Sequence, residues 1–258
     1  MKKIIKIAAG ILTIGALCLG VFWVYLWHNY EVPILMYHTL DASRVNNYAA
    51  VSPQHFYEQM AFIKKRGYRV IPLEDYCRMV VNRQTYAHNL VVITFDDGFG
   101  DNLQAAEILR KFDFPATIFL VADKIGTDMH LSAEDIRTIL SNSRVGIGSH
   151  TLTHRSLDTL GSEALKHEIA GSKEKLRSTF EREITTITYP GGGYNNETIE
   201  VVRDAGYLCA CTTNRGFSRT RELFALRRIK ITDRDTEFSL WAKLSGFYNL
   251  FRRLRKPS

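Results

Sequence analysis

Residues 31–250 predict one α/β domain built on parallel strands, either closed into a barrel or doubly wound. Two observations predict it. From residue 33 onward, short apolar runs rich in β-branched and aromatic residues alternate with helical patterns about seven or eight times. Residues that can carry chemistry then fall at the carboxy-terminal ends of several of those runs, and in a parallel barrel such ends form one rim. The length, 258 residues with 45% hydrophobic composition, suffices for a single large domain with a real core.

Taken along the chain, residues 1–30 stand apart. Lys2, Lys3 and Lys6 precede an apolar run from Ile7 to Trp27, with no acidic residue before Glu31. The run matches the roughly 20 residues needed to cross a bilayer. A cleaved signal peptide would have an apolar region of roughly 7–15 residues ending at small residues. Trp23, Tyr25 and Trp27 stand where interfacial aromatics would, and the lysines should hold the amino terminus in the cytoplasm. The expectation is an uncleaved transmembrane helix with the domain on the extracytoplasmic side. Cys18 follows the bulky Leu17, a poor lipoprotein cleavage site, and reads as a membrane-embedded apolar residue.

The candidate strands are PILMY, YRVI, LVVITF, ATIFLV, VGIGS, TTITY, YLCACT and LRRIKI. Between the first two, SPQHFYEQMAFIKKRG has Ser52 as N-cap, Pro53 at the first helical position and Gly67 as stop. Its Phe56, Met60 and Ile63 fall on one face. A second helix is expected from about Ser162 to Phe180, with Leu165, Ile169, Leu176 and Phe180 as its stripe. Others fit DNLQAAEILRKF, SAEDIRTIL and NETIEVVRDAG, and Trp241 is expected to pack a carboxy-terminal helix.

Four cysteines are too few for a disulfide scaffold at this length. Cys209 and Cys211 would face the same side of a strand and are expected as two buried thiols rather than a strained bridge. The net charge of +7 includes the three amino-terminal lysines, and the mild remainder gives no nucleic-acid footprint. Residues 251–258, FRRLRKPS, read as a solvated basic tail.

The polar residues can now be placed. His38 follows PILMY, Asp96 and Asp97 follow VVITF, His150 follows VGIGS, and the glycine cluster of YPGGGYN follows TTITY. In SHTLTH, His150 and His154 are four apart, which on a helical turn puts their Cβ atoms about 5–6 Å apart, suitable for gripping one ion. Consecutive side chains on a strand point to opposite sides, so Asp96 and Asp97 should do different jobs. One can join the histidines as third ligand, leaving an open position for water as in catalytic zinc; the other can act as the base. Gly98 lets the backbone turn just after them. A lone Asp-Asp-Gly is most often a turn; the histidine pair at a second strand end shifts the balance toward a site.

These residues carry a resemblance. The chain resembles polysaccharide deacetylases of the NodB-homology type, carbohydrate esterase family 4, from about Val32 to Ile231. TFDDG, Thr94 to Gly98, is similar to the family's first motif, which implies Asp96 as catalytic base and Asp97 as metal ligand. SHTLTH is similar to the second, which implies His150 and His154 as ligands. The resemblance implies a distorted (β/α) barrel holding one divalent ion, usually zinc. The third motif departs from its usual Arg-Pro start, with Tyr189-Pro190-Gly191-Gly192-Gly193 in its place, and the fourth motif and the late Leu-x-His are missing. VPILMYH, Val32 to His38, is similar to the subgroup that deacetylates poly-β-1,6-N-acetylglucosamine, which implies His38 as general acid. That subgroup also carries Tyr-Pro. Arg228 in LRRIKI is assigned as the substitute for the missing motif arginine, and Gly192 as the backbone N–H donor to the oxyanion, with Tyr189 beside it.

The expected activity is metal-dependent hydrolysis of N-acetyl groups on an N-acetylated extracellular polysaccharide, poly-β-1,6-N-acetylglucosamine or peptidoglycan, in the cell envelope. Gly192 and Gly193 lack side chains to line a groove, which suggests an open cleft suited to polymer. Two readings from other classes stay open: a catalytically impaired glycan binder, given the altered third motif, and a metal-dependent phosphoesterase with the GGG loop cradling phosphate.

Overall fold

The computed structural model of the protein describes residues 2–28, 30–41, 49–215 and 222–247. Its strands are β1 (Ile34–Tyr37), β2 (Arg69–Val70), β3 (Leu90–Phe95), β4 (Ala116–Leu120), β5 (Val145–Ser149), β6 (Thr186–Thr188), β7 (Cys209–Arg215) and β8 (Leu226–Lys230). Its α-helices are α1 (Lys2–His28), α2 (Pro53–Lys65), α3 (Leu73–Val81), α4 (Asn102–Phe112), α5 (Ala133–Asn142), α6 (Ser162–Phe180), α7 (Asn196–Asp204) and α8 (Glu237–Leu244).

All strand pairs are parallel, in the order β1-β8-β7-β6-β5-β4-β3, and β1 pairs back onto β3 from Ile34↔Val92 to Tyr37↔Phe95. That pairing closes a barrel and removes the doubly wound alternative. β2 joins only the start of β3. The barrel is uneven: β5 and β6 meet at the single register pair Ser149↔Ile187, and β7 shifts register against β8 between Cys211 and Arg215.

The helices start where local chemistry dictates. Ser52 caps α2 by accepting from the His55 N–H, with Pro53 in the first turn. Ser132 and Asp135 form a capping box on α5, and Asn195 with Thr198 does the same on α7. The stripes of α2 (Phe56, Met60, Ile63) and α6 (Leu165, Ile169, Leu176) are fully buried against the outer face of the barrel, each side chain contributing about 1.5–3 kcal/mol.

α3 had no counterpart in the periodicity reading. Its Leu73, Tyr76, Cys77 and Val80 pack with Ile34, Leu90, Cys209 and Leu226, residues that begin strands, so α3 closes the amino-terminal end of the barrel. The expected pair of free thiols is corrected here: Cys77 and Cys209 form a disulfide with Cα atoms 6.4 Å apart, 132 residues distant in sequence. Cys211, two residues on, is the buried free thiol, pushed up to about 12 by burial. Strand alternation puts Cys209 and Cys211 on one side, but the partner arrives from a helix the strand pattern does not reveal.

Along α1 the described side chains of Ile11, Leu12, Leu17 and Val24 are exposed, while the Trp27 ring lies tilted against His88 with centroids 4.0 Å apart. Among the described residues no helix is long and apolar enough to cross a membrane, so the spanning helix expected over Ile7–Trp27 gains no support from the structure. Several side chains of α1 and the basic tail, residues 251–258, lie outside the described residues.

Candidate active site

The parallel strands bring His38, Asp96, His150 and Tyr189 to one rim, each immediately after its strand (β1, β3, β5 and β6). The loop after β3 decides the rest. Asp96 still donates its N–H to the Tyr37 carbonyl, 3.0 Å away, continuing the ladder to β1. Asp97 is left-handed (φ 71°), as is Gly98 (φ 69°). A Cβ on Gly98 would lie 2.7 Å from Leu120 Cδ2, so only glycine fits the turn. The two carboxylates do part company, but through this left-handed step beyond the end of the strand rather than through strand alternation.

Asp96 points into the barrel and is 2% exposed. Arg228, fully buried on β8, clamps it with two hydrogen bonds of 2.6 Å, Nη1 to Oδ1 and Nη2 to Oδ2. The remaining guanidinium donors reach the Thr212 carbonyl (3.0 Å), Thr94 Oγ1 (3.2 Å) and Thr188 Oγ1 (2.8 Å). A buried charge pair is tolerable when every donor is satisfied in this way. Burial alone would raise the Asp96 carboxyl, but Arg228 holds it below the usual carboxylate range. Burial would likewise lower Arg228, and Asp96 overrides it.

Asp97 faces outward. Its Oδ1 lies 3.4 Å from His150 Nε2 and 3.2 Å from His154 Nε2, and the two rings meet edge to face at 4.7 Å. One ligand atom from each residue falls within 4.8 Å of the others, a group that could hold a metal ion. His150 Nδ1 donates to the Thr188 carbonyl at 3.0 Å, which leaves Nε2 as the lone-pair nitrogen, the tautomer a metal ligand needs. The donor set, two imidazoles and a carboxylate with one side open, fits a catalytic divalent ion. Burial would lower His150, yet the hydrogen bond to Asp97 raises it; Asp97, which burial would raise, is held far below the usual range by the histidines. The helical turn expected for residues 150–154 is absent: Thr151 (φ 66°) and His154 (φ 70°) are left-handed, and the segment is a loop.

His38 Nε2 lies 4.0 Å from Asp96 Oδ2. Its Nδ1 is buried with no partner among the described residues, while its backbone carbonyl accepts from Asn102 Nδ2 at 2.8 Å. Burial lowers the His38 imidazole, against the pull of Asp96 and Asp97.

The glycine loop departs from expectation. The Gly192 N–H donates to the Tyr189 carbonyl at 2.9 Å, closing a tight turn, so the donor assigned to the oxyanion is engaged within its own loop. Tyr189 is fully buried, stacked on Tyr194 with ring centroids 4.9 Å apart, and its hydroxyl donates to the Phe224 carbonyl. Its side chain is structural rather than at the site. A Cβ at Gly192 would meet Thr213 Oγ1 and one at Gly193 would meet Ser156 Oγ, so neither position has room for a side chain.

The comparisons bear on this geometry. The polysaccharide deacetylase family model matches residues 83–210. The Bacillus subtilis protein YxkH, a polysaccharide deacetylase by name, is 32% identical over 212 residues, 81% of this chain and 75% of that protein. The chain belongs to the polysaccharide deacetylase family. Among solved structures, the Streptococcus pyogenes deacetylase PplD in complex with acetate superposes with a TM-score of 0.77 at 26% identity, covering 84% of this chain and 99% of that one. A poly-β-1,6-N-acetyl-D-glucosamine N-deacetylase of Staphylococcus aureus is 23% identical over 186 residues, 66% of this chain; the chain spans 63% of that protein's length. Membership makes this chain a deacetylase-type hydrolase on the NodB-type barrel, in a family of metal-dependent enzymes, and Asp97, His150 and His154 form a group that could hold a metal ion.

Several residues that shape the site were not singled out from the sequence. Thr94 and Thr188 hold Arg228, and Glu168 on α6 holds the loop between the two histidines. Threonine at the end of a buried strand and a glutamate within an apolar helix stripe are the only sequence signals they leave.

Proposed function

We propose that this chain hydrolyses N-acetyl groups from an N-acetylglucosamine-containing extracellular polysaccharide, poly-β-1,6-N-acetylglucosamine or peptidoglycan, releasing acetate. The observation that carries the reading is the side-by-side placement of a buried, arginine-clamped carboxylate and an outward Asp-His-His group on one rim. Asp97, His150 and His154 would hold one divalent ion, zinc by preference for two imidazoles and a carboxylate in an open site. When bound, such an ion supplies Lewis-acid polarisation of the acetamide carbonyl and acidifies water.

The chain's own groups do the rest. Asp96 accepts a proton from the attacking water as its oxygen bonds to the carbonyl carbon. Arg228 keeps Asp96 ionised and fixed in orientation. His38, 4.0 Å from Asp96, is placed to pass a proton to the sugar nitrogen as the C–N bond breaks, leaving acetate and a free amine. The low-lying pKa of His38 makes it a ready donor once protonated, and Asp96 is the neighbour that can resupply it.

The same proposal keeps residues 31–250 as the catalytic domain on the extracytoplasmic side of the membrane, with residues 1–30 as its anchor. The Cys77–Cys209 disulfide supports the compartment, since such bonds persist where the milieu is oxidising. The exposed apolar side chains along α1 support membrane contact. Recovery of the chain in the soluble cytosolic fraction, with Cys77 and Cys209 reactive to a thiol probe, would rule this placement out.

The activity is tested by acetate release from poly-β-1,6-N-acetylglucosamine, peptidoglycan and chitin oligomers and from O-acetylated sugars, before and after chelation and zinc reconstitution. The expected result is zinc-restored release from an N-acetylated polymer. Release from O-acetyl esters alone, or release indifferent to chelation, would overturn the proposal, and cleavage of phosphate esters instead would favour the phosphoesterase reading.

A further inference from the structure

We infer that Glu168 is the positioning residue of the metal-ligand loop: its buried carboxylate holds residues 152 and 153 so that His150 and His154 converge, and thereby sets the affinity for the ion. The inference rests on the proposal that Asp97, His150 and His154 bind a divalent cation.

The loop between the histidines poses a backbone problem. It leaves β5, contains two left-handed non-glycine residues, Thr151 and His154, and makes no helical ladder, so its N–H groups need other acceptors. Every one has a partner. The His150 N–H goes to the Leu120 carbonyl, Thr151 to Ser149 Oγ, and His154 to Thr151 Oγ1. The two N–H groups midway between the histidines, of Leu152 and Thr153, both donate to Glu168 Oε2, at 3.0 and 2.9 Å. Thr153 Oγ1 donates to the other oxygen, Oε1.

Glu168 is 3% exposed, and no ion pair joins it to a cationic side chain among the described residues. All its hydrogen bonds go to this loop. A buried carboxylate held by three donors and no cation costs folding stability, which is consistent with a function in shaping the ligands. Ser172, one turn further along α6, supports the start of the same loop through Ser149 Oγ at 2.7 Å. One face of α6 therefore carries both the start and the middle of the segment. Groups that hold metal ligands from behind typically change metal affinity by about 10–100-fold when removed.

The amide isostere separates geometry from charge. In E168Q the carbonyl oxygen can accept both N–H groups while the new NH2 donates to Thr153 Oγ1, whose hydroxyl can reverse its role. All three hydrogen bonds survive and only the charge is lost. In E168A none survives. In T153V, at an exposed position, only the Oγ1 bond is lost.

The test measures zinc affinity by chelator competition and the zinc-induced rise in melting temperature for wild type, E168Q, E168A, T153V and H150A. We expect E168A to bind zinc at least about tenfold more weakly, with a smaller zinc-induced rise, T153V about threefold more weakly, and E168Q within about threefold of wild type. A purely structural role would lower the metal-free and zinc-loaded melting temperatures equally and leave the rise unchanged; that result, or wild-type affinity in folded E168A, overturns the inference. If E168A does not fold, T153V decides: affinity indistinguishable from wild type overturns it. Wild type binding no more zinc than H150A would instead mark failure of the metal proposal itself.

Discussion

Asp96 and Asp97 are neighbours of the same chemistry, yet they sit in opposite worlds. Asp96 is sealed inside the barrel against a guanidinium at 2.6 Å on both oxygens; Asp97, 19% exposed, stands outside among imidazoles. The left-handed backbone of Asp97 itself turns the two apart. The inner carboxylate is held by a permanent cation on the fold, so its orientation is fixed and its resting state is ionised. The outer one is surrounded by groups that exchange protons or bind metal, so its state depends on what arrives. A metal-assisted hydrolase needs both kinds, a rigidly oriented base and a group that can take up an ion, within reach of one substrate bond.

The comparison breaks most sharply if the two halves are exchanged in role. H150A is expected to lose zinc and bring acetate release to background, while D96N retains zinc and loses about 10²–10⁴-fold in kcat. Metal analysis with single-substrate kinetics checks this, and equal metal content with equal residual activity in the two variants would erase the distinction.

Next in size is the buried pair itself. D96N and R228M each strand a group in the interior and should destabilise the protein by about 3–5 kcal/mol. The double variant D96N/R228M should recover much of that in denaturant unfolding without recovering activity. Additive losses in the cycle would mean that Arg228 does not depend on Asp96 for its place.

His38 lies between the halves and should be separable from both. H38A is expected to lower kcat by about 10²-fold with zinc content and melting temperature near wild type, read on N-acetylated oligomers. A rate close to wild type would take His38 out of the proton path.

The smallest effects are the pH signs, and they should oppose one another. Asp96 has a folded pKa below its unfolded value, so its contribution to stability is present above about pH 4 and lost as pH falls through the depressed folded value. His150 in the metal-free protein has a folded pKa above its unfolded value. Its contribution is full below about pH 6.5 and lost as pH rises through the raised value. Zinc must displace that proton, so zinc affinity should climb with pH across the same window. Affinity flat in pH would show that His150 carries no proton when the ion is absent.

Much of the fold and part of the site were legible beforehand. The short continuous apolar runs and the capped helices, such as Ser52-Pro53 through Gly67, depend on neighbours in the chain, so a local pattern reveals them. The placement of His38, Asp96, Asp97, His150 and His154 at strand ends was legible for the same reason. A neighbour distant in sequence, or a special backbone conformation, leaves no local pattern. α3 and its Cys77–Cys209 bridge, the left-handed loop of His150 to His154, and the buried Tyr189 are of this kind.

The sequence by itself determined that strands would alternate with helices and that ligand-type side chains would emerge at strand ends, because both follow from apolar runs and helical spacing along a single stretch. The resemblance named Arg228 as the substitute arginine, but only the tertiary structure gave the contact by which it meets Asp96. Arg228 is 132 residues from Asp96, and it reaches that carboxylate because β8 joins β1, and β1 joins β3, to close the barrel. Closure is a property of the whole sheet, in which each strand's register depends on its neighbours, and no window of the chain contains it.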